Sequence, residues 1–557
     1  MRLLASSLLF GTFVQAAVPV LDHLFPTAAQ SGVTNSISLV GKMDPWPPKL
    51  WADDPGIRFV PSTNSPLVDV IVDPKVTAGA HWIRAYSPEG ASAPRLLIVT
   101  PYPLVLEKEP NDDFKNPQFL STLPTVVEGR LEKNGDVDSY SVPVEAGQTL
   151  VTWVDAYTLM TPLDPALRVL DEQGNQVAWN HDSVRSFDPA LAWTATRTGR
   201  FVVQVFGFAF PADSDVRFAG SARGIYRLHV STGPVLRHTL PLGAKRTGET
   251  SLQPVGWNLI SGAPAVSFQP EPGPFDRPGF ASFQPVGIRD SLEVPLGDGP
   301  ETLEAEPNDT AAQAGTLEMP GAVSGDLNRV GDEDRFRFSA KAGQVLLLDV
   351  MATRLGFPLD AWLKIEDAQG KELAHNDDAT GSDPKLTWTA PKDAAYLAVV
   401  GNLLHTAGSD LRYRLEIGAA IPSLSGVAPE PNFSVEAGKT NEFKVTLTRA
   451  HGFTNALVWE VTGLPAGVRL DAPEVAPTST EATLRWIADP TAAAFNGVVH
   501  LVIHPLPAGA RIPIIASLAT TGENNGVPQG FSRLIREQLT DLWLTVRPPA
   551  PSVPASK

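Results

Sequence analysis

Oxygen-bearing side chains crowd two short stretches of this chain, Glu107-Lys108-Glu109-Pro110-Asn111-Asp112-Asp113 and Glu304-Ala305-Glu306-Pro307-Asn308-Asp309. Carboxylates and an amide so close together are the hard donors that calcium takes six to eight at a time. In an extended segment, glutamates two apart with Asn and Asp just past a proline bring such oxygens near one another. Left alone, the like charges repel; a bound cation would relieve that repulsion and stiffen the segment. A pair of alternate aspartates follows each string: Asp136 and Asp138 in Gly135-Asp136-Val137-Asp138-Ser139-Tyr140, and Asp332 and Asp334 in Gly331-Asp332-Glu333-Asp334-Arg335-Phe336. These complete the donor set if the fold returns them to the string. The competing reading is a capped, hydrogen-bonded opening turn that needs no metal.

Asn180-His181-Asp182 and His375-Asn376-Asp377-Asp378 form a second pair of candidates. The histidine changes place between them, which favours turn residues bonding their own backbone over a shared metal role. Motifs for catalysis are missing from the sequence: there is no His-Glu-x-x-His, no Gly-x-Ser-x-Gly and no cysteine. Gly438-Lys439-Thr440 has Phe433 where a phosphate loop needs its first glycine. A triad assembled from distant strands would leave no local signature, so a hydrolase with a cryptic site stays as one alternative.

Repetition shows which elements must hold these groups. Asn308 follows Asn111 by 197 positions, Asp332 follows Asp136 by 196 and Trp388 follows Trp193 by 195. Between these landmarks both blocks carry Leu-Asp (Leu163-Asp164, Leu359-Asp360), a glycine turn (Asp171 to Gly174, Asp367 to Gly370), Asp-Pro (Asp188-Pro189, Asp383-Pro384) and a closing Tyr-Arg-Leu strand. Register held this closely predicts two copies of one fold, each an antiparallel sandwich of roughly eight strands.

This set of landmarks resembles the bacterial pre-peptidase C-terminal (PPC) domain, a jelly-roll-like β-sandwich related to the collagen-binding domains of clostridial collagenases. The resemblance covers both blocks. In collagenase-type members the acidic opening and the following Asp pair bind calcium. Carried over, that implies Glu107, Glu109, Asn111, Asp112, Asp136 and Asp138 as Ca2+ ligands, and Glu304, Glu306, Asn308, Asp309, Asp332 and Asp334 likewise. No residue set for collagen contact carries over. The flanking segments resemble bacterial immunoglobulin-like modules, chiefly through Gly463-Leu464-Pro465-Ala466-Gly467-Val468.

The remaining chain reads as further β modules. With 52 prolines and 45 glycines spread through 557 residues, short strands and turns are favoured over long helices. The expected order is a signal peptide at 1–16, an immunoglobulin-like sandwich at 17–104, a PPC-like sandwich at 105–232 and an immunoglobulin-like module or linker at 233–300. A second PPC-like sandwich at 301–419, an immunoglobulin-like sandwich at 420–547 and a disordered tail at 548–557 complete it. In 233–300, Leu240-Pro241 and Val255-Gly256 echo Phe25-Pro26 and Val40-Gly41, although Ser267 to Phe283 has little strand character. Phe531 to Asp541 could form a helical turn or two.

Arg2, the apolar run Leu3 to Val14 and the small-residue site at Ala16 suit export, and no run is long enough to span a bilayer. A net charge of −17 argues against nucleic acid and anionic membranes as partners and is compatible with cations. The expectation is an all-β, secreted or surface-located, non-catalytic chain of tandem modules. It would bind an extracellular polysaccharide or protein polymer, with calcium at the module junctions. The alternative is an accessory or targeting subunit of a secreted hydrolase.

Overall fold

Strands dominate the chain from Val20 to Arg547, and among the described residues the helical content is two single 3-10 turns, Tyr157–Leu159 and Thr353–Leu355. The structure, a computed structural model, describes residues 17–549 apart from 185, 210–216, 261, 263, 272, 274–275, 289–290, 379–382, 507–508 and 519–533. The expected signal peptide and nearly all of the expected tail lie outside these residues. Among the described residues, no helix is long and apolar enough to cross a membrane. The chain divides into two compact units, one built from 1–102, 424–518 and 538–557, the other from 103–423 and 519–537.

In the first unit, the N-terminal segment forms two layers, one of four strands and one of five, in which the short strand Gly90–Ala91 pairs with Gly79–Ser87 beside the order given. One runs Val20–Phe25, Thr34–Lys42, Leu67–Val72, Ile57–Pro61; the other runs Ala28–Gln30, Arg95–Thr100, Gly79–Ser87, Lys49–Ala52. Alternate residues fill the space between them, Ile37, Val68 and Val70 from one layer and Ile83, Ala85, Leu97 and Val99 from the other. Among the described residues the C-terminal segment is a single connected set of ten strands. Its longest alternation, Thr440–Ala450, buries Phe443, Val445 and Leu447 and exposes Glu442's neighbour Lys444 and Thr446. Residues 534–541 contain the short strand Gln538–Leu539 and no helix, correcting the expected helical turn. Leu539 pairs with Ala516, so that stretch is drawn onto a sheet edge; 531–533 lie outside the described residues.

The second unit carries both repeated blocks. In the first block, one sheet runs Val105–Leu106, Thr125–Arg130, Ile225–Ser231, Thr149–Asp155, Ala190–Thr194, and the facing sheet runs Gln118–Phe119, Asp138–Val144, Gly199–Ala209, Leu163–Leu170, Gln176–Asn180. The second block repeats both orders strand for strand, from Glu301–Leu303 to Lys385–Thr389 and from Gly315–Thr316 to Glu372–Asn376. Among the described residues each sandwich has ten strands rather than about eight, and its two short leading strands pair in parallel, not antiparallel. The reason is the opening string itself. It leaves one sheet at Leu106 and joins the other at Gln118, so it ties both layers together at one end. One apolar core fills each block, with Tyr140, Val142, Leu167 and Val203 facing Val127, Leu150, Val154 and Leu228 in the first.

Between the blocks, Val235–Leu240, Thr250–Trp257 and Val266–Phe268 form one three-stranded sheet, and Ala244–Lys245, Leu292–Gly297 and Phe280–Phe283 another. Leu236, Ala244, Leu252, Ala281, Phe283, Val294 and Leu296 make a core of their own there. The strand preceding Pro241 has its irregularity between Leu236 and His238, as the strand preceding Pro26 has between Leu21 and His23.

Candidate cation sites at the block openings

Each opening string is pinned to the sandwich by backbone bonds. Glu107 N donates to Glu128 O and Ser139 N donates to Asn111 O, at 3.1 Å each, bringing the string against the strand Asp138–Val144. The Glu109–Pro110 peptide is cis, as is Glu306–Pro307. Asn111 N donates to Glu109 Oε2 at 3.0 Å, which folds that carboxylate back over the turn. As a result one carboxylate oxygen from each of Glu109, Asp112, Asp136 and Asp138 lies within 4.8 Å of the others.

The inner half of this cluster is dry. Asn111 is 1% exposed and Asp138 is fully buried. Among the described residues, neither Oδ1 nor Nδ2 of Asn111 has a hydrogen-bond partner, and neither has Oδ1 of Asp138. Oδ2 of Asp138 accepts from the Tyr226 hydroxyl at 2.6 Å, and that hydroxyl also lies 2.6 Å from the Tyr140 hydroxyl. Burial, reinforced by the Glu107 carboxylate, pushes Asp138 up to about 9, and burial pushes Glu107 up to about 7. Asp136 is also raised, by burial and then by Asp112. A carboxyl held this far above its ordinary range is one that a divalent cation would ionise by replacing the proton.

The second opening repeats the frame. Glu304 N donates to Ser324 O at 3.0 Å, Asn308 N to Glu306 Oε2 at 3.0 Å, and the Tyr413 hydroxyl to Asp334 Oδ2 at 2.5 Å. Asn308 is 1% exposed with its amide unpartnered, Asp334 Oδ1 is unpartnered, and burial followed by Glu304 pushes Asp334 up to about 9. Glu306, Asp332 and Asp334 bring oxygens within 4.8 Å of one another.

Of the twelve residues expected as ligands, seven therefore converge, and Asn111 and Asn308 are buried within the same turns. Three stand apart. Glu107 spends Oε2 on Arg130 N at 2.6 Å and on the Tyr226 hydroxyl at 3.5 Å. Glu304 likewise takes Asp326 N at 2.6 Å and the Tyr413 hydroxyl at 3.3 Å. Both act as braces between string and sheet. Asp309 is drawn onto Arg329, with both of its oxygens 2.9 Å from Nη2.

Sequence reasoning passed over the tyrosines and the glycines beneath them. A Cβ at Gly129 would lie 2.4 Å from the Tyr226 hydroxyl, and one at Gly325 2.5 Å from that of Tyr413. The signal was present, since both Tyr-Arg-Leu strands and both glycines recur in the two copies, but it read as strand and turn marking.

At the second pair of candidates, Asn180 Oδ1 accepts Ala190 N at 3.2 Å and Asn376 Oδ1 accepts Lys385 N at 2.8 Å, so the asparagines serve the backbone. His181 lies 3.2 Å from Asp164 and 3.7 Å from Asp182. Asp188 and Asp383, from the repeated Asp-Pro, cap the two 3-10 turns.

No protein-family model matches the chain. Over 110 residues it is 39% identical to a probable subtilase-type serine protease of Deinococcus radiodurans, a stretch covering 19% of this chain and 15% of that protein. The chain thus spans about one seventh of the length of that relative. Among solved structures, it is similar to the pre-peptidase C-terminal domain of a Bacillus anthracis collagenase, at 15% identity over 20% of this chain and 99% of that domain, with a TM-score of 0.17. Domains 4 and 5 of the S-layer protein SbsC align at 16% identity over 23% of this chain and 68% of that one, with a TM-score of 0.15.

Proposed function

We propose that this chain is an exported, non-catalytic binding protein of tandem β-sandwich modules, in which a cation at the block openings, calcium in the first, stiffens the junctions. The observation that carries this reading is the buried, unpartnered oxygen set at Asn111 and Asp138, ringed by Glu109, Asp112 and Asp136. Such a set is stabilised by a hard cation and is strained without one. Both openings join a leading strand of one sheet to a leading strand of the other, so a cation there would clamp the two layers where the chain enters the sandwich. The ligand would be an extracellular polysaccharide or protein polymer, which a row of modules can engage at several points.

The stretch shared with a probable subtilase-type protease favours a second reading, an accessory or targeting subunit that works beside a hydrolase. The two readings separate on one experiment. Purified chain is incubated with insoluble collagen and glycan polymers and with casein, in calcium and in chelator. Calcium-dependent retention on a polymer with no product released supports the binding reading; retention only when a partner hydrolase is added supports the second. Turnover of any substrate by the chain alone overturns both. For calcium, the melting temperature should rise with the ion, and Asp112→Ala should reduce the rise; identical melting curves with ion and with chelator would sink the clamp.

A further inference from the structure

The two openings differ at the position from which a side chain reaches across their outer, solvent-facing half. Lys133 and Arg329 stand three residues ahead of Asp136 and Asp332 respectively. Lys133 keeps its side chain 62% exposed, with its ammonium 3.4 Å from Asp112 Oδ2 and 3.7 Å from Asp136 Oδ1. Arg329 instead sets Nη2 2.9 Å from each oxygen of Asp309, 3.0 Å from Asp332 Oδ1 and 3.5 Å from Glu306 Oε2. Three carboxylates of the second opening thus already share one guanidinium. A second arginine takes the main chain: Arg335 donates to the carbonyl of Asp309, where the first block has Ser139, whose hydroxyl reaches the Asp112 carbonyl only at 3.5 Å. Consistent with this, Asp112 belongs to the convergent acids of its opening and Asp309 does not.

We infer that the first opening is the exchangeable divalent-cation site and that Arg329, with Arg335, is the resident cation of the second, so the chain takes up one calcium ion tightly and not two. This rests on reading the openings as cation sites. Lysine is a point charge on a flexible stem, and one so loosely placed swings into water at little cost. A guanidinium held by several charge-assisted bonds is a planar fork that an incoming ion would have to unseat, bond by bond, while still facing its fixed positive charge. The inner donors do not differ, because Asn308 and Asp334 repeat the unpartnered oxygens of Asn111 and Asp138. Removing the arginine should therefore open the second site.

The test is calorimetric calcium titration of the full chain after exhaustive chelation, with terbium luminescence as a second readout. Wild type is expected to bind one ion tightly. Glu109→Gln with Asp112→Ala, both at exposed positions, should abolish that binding, whereas Glu306→Gln with Asp309→Ala should leave it unchanged. Arg329→Ala should raise the stoichiometry to two, and Arg329→Gln provides the milder variant should the alanine form unfold. Two equal sites in wild type, or a single site lost in the Glu306/Asp309 variant, would overturn the inference while leaving the cation reading standing. Absence of any uptake by wild type and by Arg329→Ala would overturn the cation reading itself.

Discussion

The Tyr226 hydroxyl sits 2.6 Å from Oδ2 of Asp138, on a strand 88 residues away, and donates to it. Tyr413 and Asp334 repeat the contact. Each tyrosine is wholly buried and supplies the hydrogen bond that its aspartate needs on one oxygen, leaving the other for the cluster. Tyr226→Phe and Tyr413→Phe keep the ring and delete that bond. Burial keeps both aspartates protonated without the ion, so each variant should destabilise its block by about 0.5–1.5 kcal/mol, the usual worth of a hydrogen bond between neutral groups. Urea unfolding in chelator measures this, and a loss under half a kcal/mol in both variants would mean that the bond is not made.

Asp188 and Asp383 do the same job with different help. Asp383 accepts from Thr353 N at 2.8 Å, Thr353 Oγ1 at 2.6 Å, Arg354 N at 3.0 Å and Arg354 Nε at 2.8 Å. Asp188 accepts from Tyr157 N, Thr158 N and Thr158 Oγ1, with Thr158 where the second block has Arg354, and burial pushes it up to about 7. An amide at either position turns one accepting oxygen into a donor that faces a backbone N–H, and at Asp383 it also strips Arg354 of a partner. Asp188→Asn should cost about 1–2 kcal/mol and Asp383→Asn about 3 or more. Thermal melts of the two variants side by side decide it, and the reverse order would refute the role given to Arg354.

The strings and the paired aspartates are legible in the sequence because donor type and register both repeat, and seven of the twelve residues do meet. Glu107 and Glu304 misled because a glutamate two residues from another looks like a second ligand, whereas its length lets it reach back to the sheet and bond Arg130 N or Asp326 N. The roles of Tyr226, Gly129 and Arg329 depend on which strands become neighbours across the sandwich, and residue spacing along the chain does not contain that. The middle segment hid its core for another reason. Val266–Phe268 and Phe280–Phe283 are three- and four-residue strands bounding a stretch of prolines and glycines, too short for alternation to show.

His238 sets an acid limit on the second unit. Its ring packs edge-on against Phe357 at 5.3 Å, and among the described residues neither nitrogen has a hydrogen-bond partner. Burial, then the Arg412 and Arg237 guanidiniums, pushes it down to about 4, against the opposing pull of Asp410. Because the folded value lies below the unfolded one near 6.5, the unfolded chain binds the proton first. Stability is intact above about pH 6.5 and is lost as pH falls toward 4, by up to about 3 kcal/mol. His238→Phe should flatten that limb; an unchanged pH profile of the melting temperature would exclude His238 as its source.

Arg84 ties the two segments of the first unit together. Its side chain, from the strand Gly79–Ser87, is fully buried, donates to Asn432 Oδ1 and to Asp541 O at 2.9 Å, and lies 5.8 Å over Trp51 and 5.6 Å over Trp543. Asn432 returns its amide to Ala91 O at 3.1 Å and Ser92 O at 3.0 Å. The N-terminal sandwich thus buries a cation whose acceptors come from the C-terminal segment. Asn432→Ala leaves that charge short of an acceptor and two carbonyls short of a donor, and should cost about 3 kcal/mol. Arg84→Met removes the charge while keeping most of the volume and should cost less. In Arg84→Met with Asn432→Ala, the losses should fall short of additive by about 1–3 kcal/mol, since the contact is already gone. Strict additivity in urea unfolding would show that the two residues are not coupled.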